Sequence, residues 1–323
     1  MSGLADALIG GDRRALARAI TLVESTHDED HESAVELIRR AMPVSGGALR
    51  VGVSGAPGAG KSTMIEALGV RLTDAGRRVG VLTVDPTSSL SGGSILGDKT
   101  RMEELSRRDE AFIRPSPSGG TLGGVARRTR EAMLLVEAWG ADVVMIETVG
   151  VGQSEVAVAG MVDHLMLLIS PGGGDELQGI KRGLMELADL IVVNKADGEL
   201  EAAAERARGE YAAAAHLMRP RHEGLPTPVL VASALERRGL DEVWEEIEQR
   251  HRALAADGRL ARLRSAQASD WLWSEVRESL LAAVEGDPEA SAIAKRTEAE
   301  VADGTAFPPK VAREIVNALL GRK

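Results

Sequence analysis

The sequence contains no cysteine, and aromatic residues make up only 2% of its 323 positions. The lack of cysteine excludes disulfides, zinc–thiolate sites and cysteine nucleophiles, and it fits a reducing compartment. Because aromatic rings are scarce, we expect a core of Val, Leu, Ile, Ala and Met. Long apolar runs are also lacking: the longest, such as residues 165–169, have the length of a strand and are too short to span a bilayer.

Positive charge is in deficit as well. The formal net charge is -10 at pH 7, which argues against broad nucleic-acid binding. The first six residues lack the basic stretch and apolar core of a signal peptide. We therefore expect a cytoplasmic protein with neither nucleic acid nor a membrane as a partner.

A glycine-rich stretch stands between an apolar run at residues 49–53 and a segment with helical spacing. It matches the pattern GxxxxGK followed by Ser or Thr, and its residues are Gly55, Ala56, Pro57, Gly58, Ala59, Gly60, Lys61, Ser62 and Thr63. Backbone N–H groups in such a loop, with the positive end of the following helix, bind the phosphates of a nucleotide. Lys61 should reach the β- and γ-phosphates, and the Ser62 hydroxyl should bind Mg²⁺. The alternative is a chance match, which the flanking strand and helix argue against.

From Ala48 onward, apolar runs alternate with helical patterns. This predicts an α/β fold of the P-loop NTPase type, with an open, mostly parallel sheet flanked by helices. Strands are predicted at residues 49–53, 79–84, 142–147, 164–169, 190–193 and 228–231, and helices at 61–75, 124–139, 176–187 and 199–218. We predict three segments: N-terminal helices over 1–45, the P-loop domain over 46–257 and a C-terminal helical arm over 258–323. A helical tail of this size buries its apolar side on the main domain or on a partner, and our hypothesis is a homodimer arm.

The run Asn194-Lys195-Ala196-Asp197 follows the strand predicted at 190–193. In a phosphate-loop protein this spacing indicates guanine recognition, because the Asp197 carboxylate can accept hydrogen bonds from the ring N–H and the amino group. Adenine offers neither donor, so the carboxylate would be buried and unpaired. A turn with a helix cap would also explain the run. Beyond the next strand lies a small-residue stretch that lets the backbone approach the base, formed by Ser233, Ala234 and Leu235. Together these residues favour GTP and GDP over ATP.

Acidic residues at strand ends are candidate Mg²⁺ ligands, since this ion prefers oxygen. Glu147 stands where GTPases carry the Asp of DxxG, and the N–H of Gly150 would contact the γ-phosphate. A loop cap is the alternative role for Glu147, and an exposed turn is the alternative for Asp98. The candidate metal ligands are Ser62, Asp85, Asp98 and Glu147.

Position 151 is Val, where many GTPases carry a Gln that orients the attacking water. We therefore expect slow intrinsic hydrolysis or a water oriented from elsewhere. The candidate catalytic residues are Lys61, Gln153, Gln178 and Lys181. The last two lie in a loop with three consecutive glycines, which is either a nucleotide-dependent switch or a flexible surface turn.

Several segments together resemble the MeaB/ArgK family of GTPases: residues 55–63, 85–89, 92–102, 147–155, 172–183 and 194–197. The resemblance implies a dimeric G protein that accompanies adenosylcobalamin-dependent methylmalonyl-CoA mutase, gates cofactor loading and helps remove damaged cofactor. It also implies that the four candidate ligands surround Mg²⁺, and that Gln178 and Lys181 couple partner binding to hydrolysis. Ala56 departs from relatives that carry a lysine early in the loop.

Besides the mutase-associated GTPase, a second and a third function remain open. Older descriptions of the family name a kinase or ATPase of arginine/ornithine transport, which the guanine-recognition residues argue against. The third is a nucleotide-gated binding protein with negligible turnover, which Val151 makes hard to separate from a GTPase by sequence alone.

Overall fold

The computed structural model describes residues 2–25, 27–84, 102–116, 122–148, 154–171 and 182–321. The chain forms two compact units, residues 1–265 and 266–323. The strands of the first unit are β1 (Leu49–Gly55), β2 (Val79–Val84), β3 (Ala111–Ser116), β4 (Val143–Thr148), β5 (His164–Ile169), β6 (Leu190–Val193) and β7 (Val229–Val231). They form one sheet in the order β3-β2-β4-β1-β5-β6-β7, and each neighbouring pair is parallel.

Helices precede the first strand, connect the strands and follow the last one. In chain order they are α1 (Ser2–Ile9), α2 (Arg13–Glu24), α3 (Asp28–Ala41), α4 (Lys61–Asp74), α5 (Glu103–Ser106), α6 (Leu122–Ala138), α7 (Ser154–Ala159), α8 (Arg182–Leu187), α9 (Glu201–His216), α10 (Leu240–Ala256), α11 (Arg259–Gly286), α12 (Pro288–Ala302) and α13 (Pro308–Leu319). Short 3₁₀ turns lie at Met42–Val44 and Gly198–Leu200. At the start of α2, the Asp12 side chain accepts hydrogen bonds from the N–H groups of Arg14 and Ala15, a local reason for the helix to begin there.

Helices cover both faces of the sheet, and successive side chains of each strand alternate between those faces. Val51 and Val53 of β1 and Met145 of β4 are buried with residues of α4 and α10. Val144 and Ile146 of β4 are buried on the other face with residues of α1, α2, α3 and α6. The strands are therefore apolar on both sides, as expected for a parallel sheet inside an α/β protein. The predicted fold class is confirmed.

Among the strands and α-helices that the structure describes in the first unit, β3, α10 and the short helices α5 and α7 are absent from the sequence-based prediction. β3 lies at the edge of the sheet and contains Pro115, a residue that weakens a strand pattern because it lacks an N–H donor. Helix α10 buries Val243, Trp244 and Ile247, which recur at helical spacing. The sequence of α10 therefore has the spacing that predicts a helix. β3 was not predicted because Pro115 shortens its apolar run.

The C-terminal unit contains most of α11 together with α12 and α13. At the start of α12, the Asp287 side chain accepts a hydrogen bond from the N–H of Ala290 (2.8 Å), and α13 begins at two prolines. None of the residues of α13 is buried. The division at residues 45 and 257 stays a prediction. Within the described residues, no helix combines the length and the apolar character needed to cross a membrane.

Candidate nucleotide-binding site

The glycine-rich loop connects the end of β1 with the start of α4. Gly58 and Gly60 have φ angles of +84° and +91°, which side-chain-bearing residues rarely adopt. A Cβ atom at Gly55 would lie 2.3 Å from the carbonyl oxygen of Leu168, and one at Gly60 would lie 2.5 Å from Nδ2 of Asn194. The glycines therefore allow a left-handed backbone and a close approach to β5 and to Asn194.

Lys61 is the first residue of α4 and is buried. Its Nζ donates hydrogen bonds to the carbonyl oxygens of Gly55 (2.8 Å) and Ala56 (3.1 Å). The ammonium group is therefore folded over the loop that precedes it. This places a positive charge beside the N-terminus of α4, where the helix dipole also favours an anion.

Ser62 and Glu147 are brought together although 85 residues separate them. The Ser62 hydroxyl donates a hydrogen bond to Oε1 of Glu147 (2.8 Å). The pairing of β1 with β4 explains this contact, because Val53 and Glu147 are partners in the register. A hydroxyl and a carboxylate side by side are the oxygen donors that suit Mg²⁺. Within the described residues, no group of three His, Asp or Glu side chains is arranged to hold a metal ion.

Asn194, at the end of β6, joins the phosphate loop to the loop after β7. Its Nδ2 donates a hydrogen bond to the carbonyl oxygen of Ala59 (2.9 Å), and its Oδ1 accepts one from the N–H of Ala234 (3.0 Å). The next residue, Lys195, has a φ angle of +59°, so the chain turns sharply there. Three segments that are distant in sequence thus meet at one buried amide.

Asp197 lies beside Ser233, whose hydroxyl donates a hydrogen bond to Oδ2 of Asp197. The Ser233 oxygen also accepts a hydrogen bond from the N–H of Glu236 (3.0 Å), which holds the loop that contains Ala234 and the exposed Leu235. The Asp197 side chain makes no capping hydrogen bond to the 3₁₀ turn that follows it. The geometry therefore does not favour the alternative in which this residue is only a helix cap.

Several predicted site residues lie outside the described residues. They are Asp85, Asp98, Gly150, Gln153, Gln178 and Lys181. Their assignments as metal ligands, phosphate contact and catalytic groups stay predictions, as does the predicted switch loop.

One pair beside the site was not predicted. Thr148 Oγ1 donates a hydrogen bond to Ser54 Oγ (3.1 Å), and both residues are fully buried. A polar residue inside an otherwise apolar strand is the sequence signal that could have indicated them.

The opposite edge of the sheet, where the strands begin, carries buried charges. Arg50 Nε donates a hydrogen bond to Oε1 of Glu137 (2.7 Å), and Arg264 Nη2 donates one to Oδ2 of Asp163 (2.7 Å). Burial raises the pKa of Asp163, but the Arg264 partner and the Arg50 N–H outweigh burial, and the net pKa is lowered. Arg221 Nη1 likewise donates to Oδ2 of a third buried carboxylate, Asp189 (2.6 Å). Each carboxylate therefore has an arginine partner.

Three histidines lie among these charges. Burial lowers the pKa of His164 to about 4, although the Asp189 and Asp163 carboxylates act in the opposite direction. The pKa values of His222 and His251 are also lowered, again chiefly by burial. His164 is consequently neutral in the native protein at neutral pH.

The parallel sheet, with a glycine-rich loop between its central strand and the following helix, defines a P-loop nucleoside triphosphatase. Residues 16–289 match the family model described as Methylmalonyl Co-A mutase-associated GTPase MeaB. The chain belongs to this family, as the resemblance in its motifs predicted, and it is a GTPase.

Known proteins are similar over most of the chain. The GTPase ArgK of Escherichia coli is 52% identical over 271 residues, covering 84% of this chain and 82% of that protein. A mouse protein, "Methylmalonic aciduria type A homolog, mitochondrial", is 47% identical over 325 residues, covering 98% of this chain and 78% of its own length. A crystal structure described as a LAO/AO transport system kinase is 40% identical, with a TM-score of 0.80, covering 99% of this chain and 97% of its own.

Proposed function

We propose that this chain is a Mg²⁺-dependent GTPase that acts as a chaperone for an adenosylcobalamin-dependent methylmalonyl-CoA mutase. It gates cofactor loading and protects or reactivates the mutase. The observation that carries this proposal is the match of residues 16–289 to a family described as mutase-associated. The mouse relative, named for methylmalonic aciduria, supports the same partner.

The contacts of the candidate site support a division of roles. The loop N–H groups and Lys61 hold the β- and γ-phosphates, and Asp197 accepts hydrogen bonds from guanine. Ser62 and Glu147 would hold Mg²⁺, and the ion would supply positive charge beside the phosphate oxygens. Gln153, Gln178 and Lys181 remain the candidates that orient the attacking water. Since position 151 is Val, we expect the mutase to accelerate GTP hydrolysis to GDP and phosphate.

Phosphate release from GTP, measured with and without purified mutase, tests this function. Acceleration by the mutase is expected, and ATP should be a poor substrate. A parallel phosphotransfer assay on a transport protein tests the kinase that the name of one similar crystal structure suggests. Labelled transport protein would contradict our proposal, and the absence of turnover under all conditions would reduce the chain to a nucleotide-gated binding protein.

We also propose that the C-terminal arm forms a homodimer. The support is a set of exposed apolar side chains on the C-terminal unit, namely Leu272, Trp273, Leu280, Leu281, Phe307, Val316 and Leu320. Exposed apolar surface of this kind is typical of interaction sites. Trp273→Glu with Leu281→Glu in the full chain should give a monomer in analytical ultracentrifugation. Leu217→Glu, at an exposed apolar residue of the first unit, is the matched control, and an unchanged oligomer in the double variant would end the idea.

A further inference from the structure

Ser54 and Thr148 form a pair of buried hydroxyls at the two strand ends nearest the candidate site. Ser54 directly precedes Gly55 of the phosphate loop, and Thr148 directly follows Glu147. Thr148 Oγ1 donates to Ser54 Oγ at 3.1 Å, and neither residue has any exposed surface. The pair therefore links the strand that leads into the phosphate loop with the strand that carries the candidate metal ligand.

Packing alone does not call for these hydroxyls. Ser54 and Thr148 alternate with residues that face α4, so they lie on the opposite face of the sheet, the face on which Ile146 and Val84 are buried. Alanine and valine have nearly the same shapes and would enter this apolar layer without desolvating a polar group. A hydrogen bond between two side chains, by contrast, fixes the spacing of two atoms.

Two side-chain bonds consequently hold the end of β4 to the phosphate-loop segment from opposite faces. On the α4 face, Glu147 accepts a hydrogen bond from Ser62 (2.8 Å). On the other face, Thr148 donates one to Ser54. Strand ends open more easily than strand centres. These two bonds lie at the end of the β1–β4 pairing, where Val53 and Glu147 are the last paired residues.

We propose that Ser54 and Thr148 are positioning residues for GTP hydrolysis. Their hydrogen bond keeps Glu147 at the distance from Ser62 that a shared Mg²⁺ requires, although neither contacts the nucleotide. This inference rests on the metal role proposed above for Ser62 and Glu147. Ligand sets need placement to within about 0.5 Å, so a small shift at the end of β4 matters.

Thr148→Val tests the pair because it keeps the β-branched shape and removes the hydroxyl. We expect a roughly fivefold rise in the Mg²⁺ concentration that gives half-maximal GTP hydrolysis, the factor typical of one neutral hydrogen bond. We also expect kcat to fall at limiting Mg²⁺, while GDP affinity in the absence of Mg²⁺ is unchanged. Thr148→Ser should restore the wild-type Mg²⁺ dependence. Ser54→Ala should match Thr148→Val, and the double variant should be no worse than either single change.

Thr73→Val is the matched control. Thr73 is a buried threonine of α4 whose hydroxyl donates to the carbonyl oxygen of Gly69 (2.9 Å), far along the helix from Lys61. This variant should lower stability and leave the Mg²⁺ dependence unchanged. If Thr148→Val behaves in the same way, or if the Ser54 and Thr148 effects multiply, the positioning role is wrong.

Two further outcomes are also decisive. Wild-type protein that hydrolyses GTP without Mg²⁺ would overturn the proposed metal role and this inference together. If Thr148→Val does not fold, as judged by circular dichroism, Ser54→Ala carries the test, because it removes one oxygen from a site that alanine fills. An unchanged Mg²⁺ dependence in folded Ser54→Ala would then overturn the inference.

Discussion

The two edges of the same sheet use polar groups in opposite ways. Where the strands begin, the polar groups are full charges in buried pairs such as Arg50–Glu137 and Asp163–Arg264. Where the strands end, they are backbone N–H groups, hydroxyls, the Asn194 amide, Lys61 and the carboxylates of Glu147 and Asp197, and these carboxylates accept hydrogen bonds from hydroxyls rather than from arginines. The first edge satisfies its charges within the chain. The second presents donors and acceptors in a glycine-rich loop at a helix N-terminus, which is a binding arrangement.

Because of this difference, we expect residues where the strands begin to govern stability and residues where the strands end to govern nucleotide binding. We call the edge where the strands begin the amino-end edge and the edge where they end the carboxyl-end edge. Removing a group at the amino-end edge leaves a buried charge without its partner, so the free energy of unfolding should fall while nucleotide affinity stays unchanged. Removing a group at the carboxyl-end edge should have the reverse effect. Four substitutions or measurements can break or sharpen the comparison.

Lys61→Ala should have the largest effect. We expect kcat/KM for GTP to fall by roughly 1000-fold, because one group that stabilises charge on the phosphates is lost. The melting temperature should change little, since Nζ of Lys61 donates hydrogen bonds to carbonyl oxygens of the adjoining loop, those of Gly55 and Ala56, and does not pair with a buried carboxylate of the opposite edge. Steady-state phosphate release and thermal unfolding are the measurements. The exposed Lys295→Ala is the control, and retention of activity in Lys61→Ala would contradict the site.

Asp163→Ala should act on the fold alone. It leaves Arg264 without its buried carboxylate and the Arg50 N–H without its acceptor (2.9 Å), and the free energy of unfolding should fall by about 4 kcal/mol. Asp163→Asn should lose less, because the amide oxygen can still accept from Arg50. Urea unfolding measures both. A large change in GDP affinity in the folded variant would break the division between the two edges.

His164 should make the free energy of unfolding depend on pH in the acidic range. Its pKa is lowered from 6.5 to about 4, chiefly by burial, so the unfolded chain binds a proton over this range and the native chain does not. Stability should therefore fall as the pH drops from 6.5 to 4, by roughly 3 kcal/mol for this residue, and no further below. His164→Gln should flatten that slope, whereas His31→Gln, at an exposed position, should not. Equal slopes in all three proteins would show that His164 is not the cause.

Asp197→Asn should change the preferred base. We expect GTP affinity to fall and xanthosine triphosphate binding to appear, with a change of about 100-fold in the ratio of the two affinities. Ser233→Ala removes the hydroxyl that donates to Asp197 and should give a smaller loss for GTP without a gain for the xanthine nucleotide. Competition binding measures the ratio, and an unchanged preference in Asp197→Asn would count against guanine recognition there.

The sequence predicted more of the carboxyl-end edge than of the amino-end edge, for a physical reason. Residues such as Lys61 and Asn194 belong to motifs whose spacing follows from the shape of a nucleotide, so they can be found in one dimension. The partners of Asp163 and Asp189 lie at Arg264 and Arg221, at separations that only the folded chain defines. A buried charge pair has no fixed spacing along the chain.

The fold shows a similar division. Strands covered on both faces, such as β2 and β5, are mostly apolar and were predicted with correct ends. The edge strand β3 was missed because Pro115 interrupts its pattern. The hydroxyl pair of Ser54 and Thr148 was missed because Ser54 precedes the phosphate-loop motif and Thr148 occupies a position that the motif beginning at Glu147 does not specify.

The central place of β1 has a consequence for how the protein is made. The ribosome releases β1 early, yet its neighbours in the sheet, β4 and β5, follow only at residues 143–148 and 164–169. Ala234, whose N–H is bonded to Asn194, emerges later still. A growing chain therefore carries an apolar strand without its neighbours in the sheet, and the contact between Asn194 and Ala234 can form only once synthesis has passed residue 234.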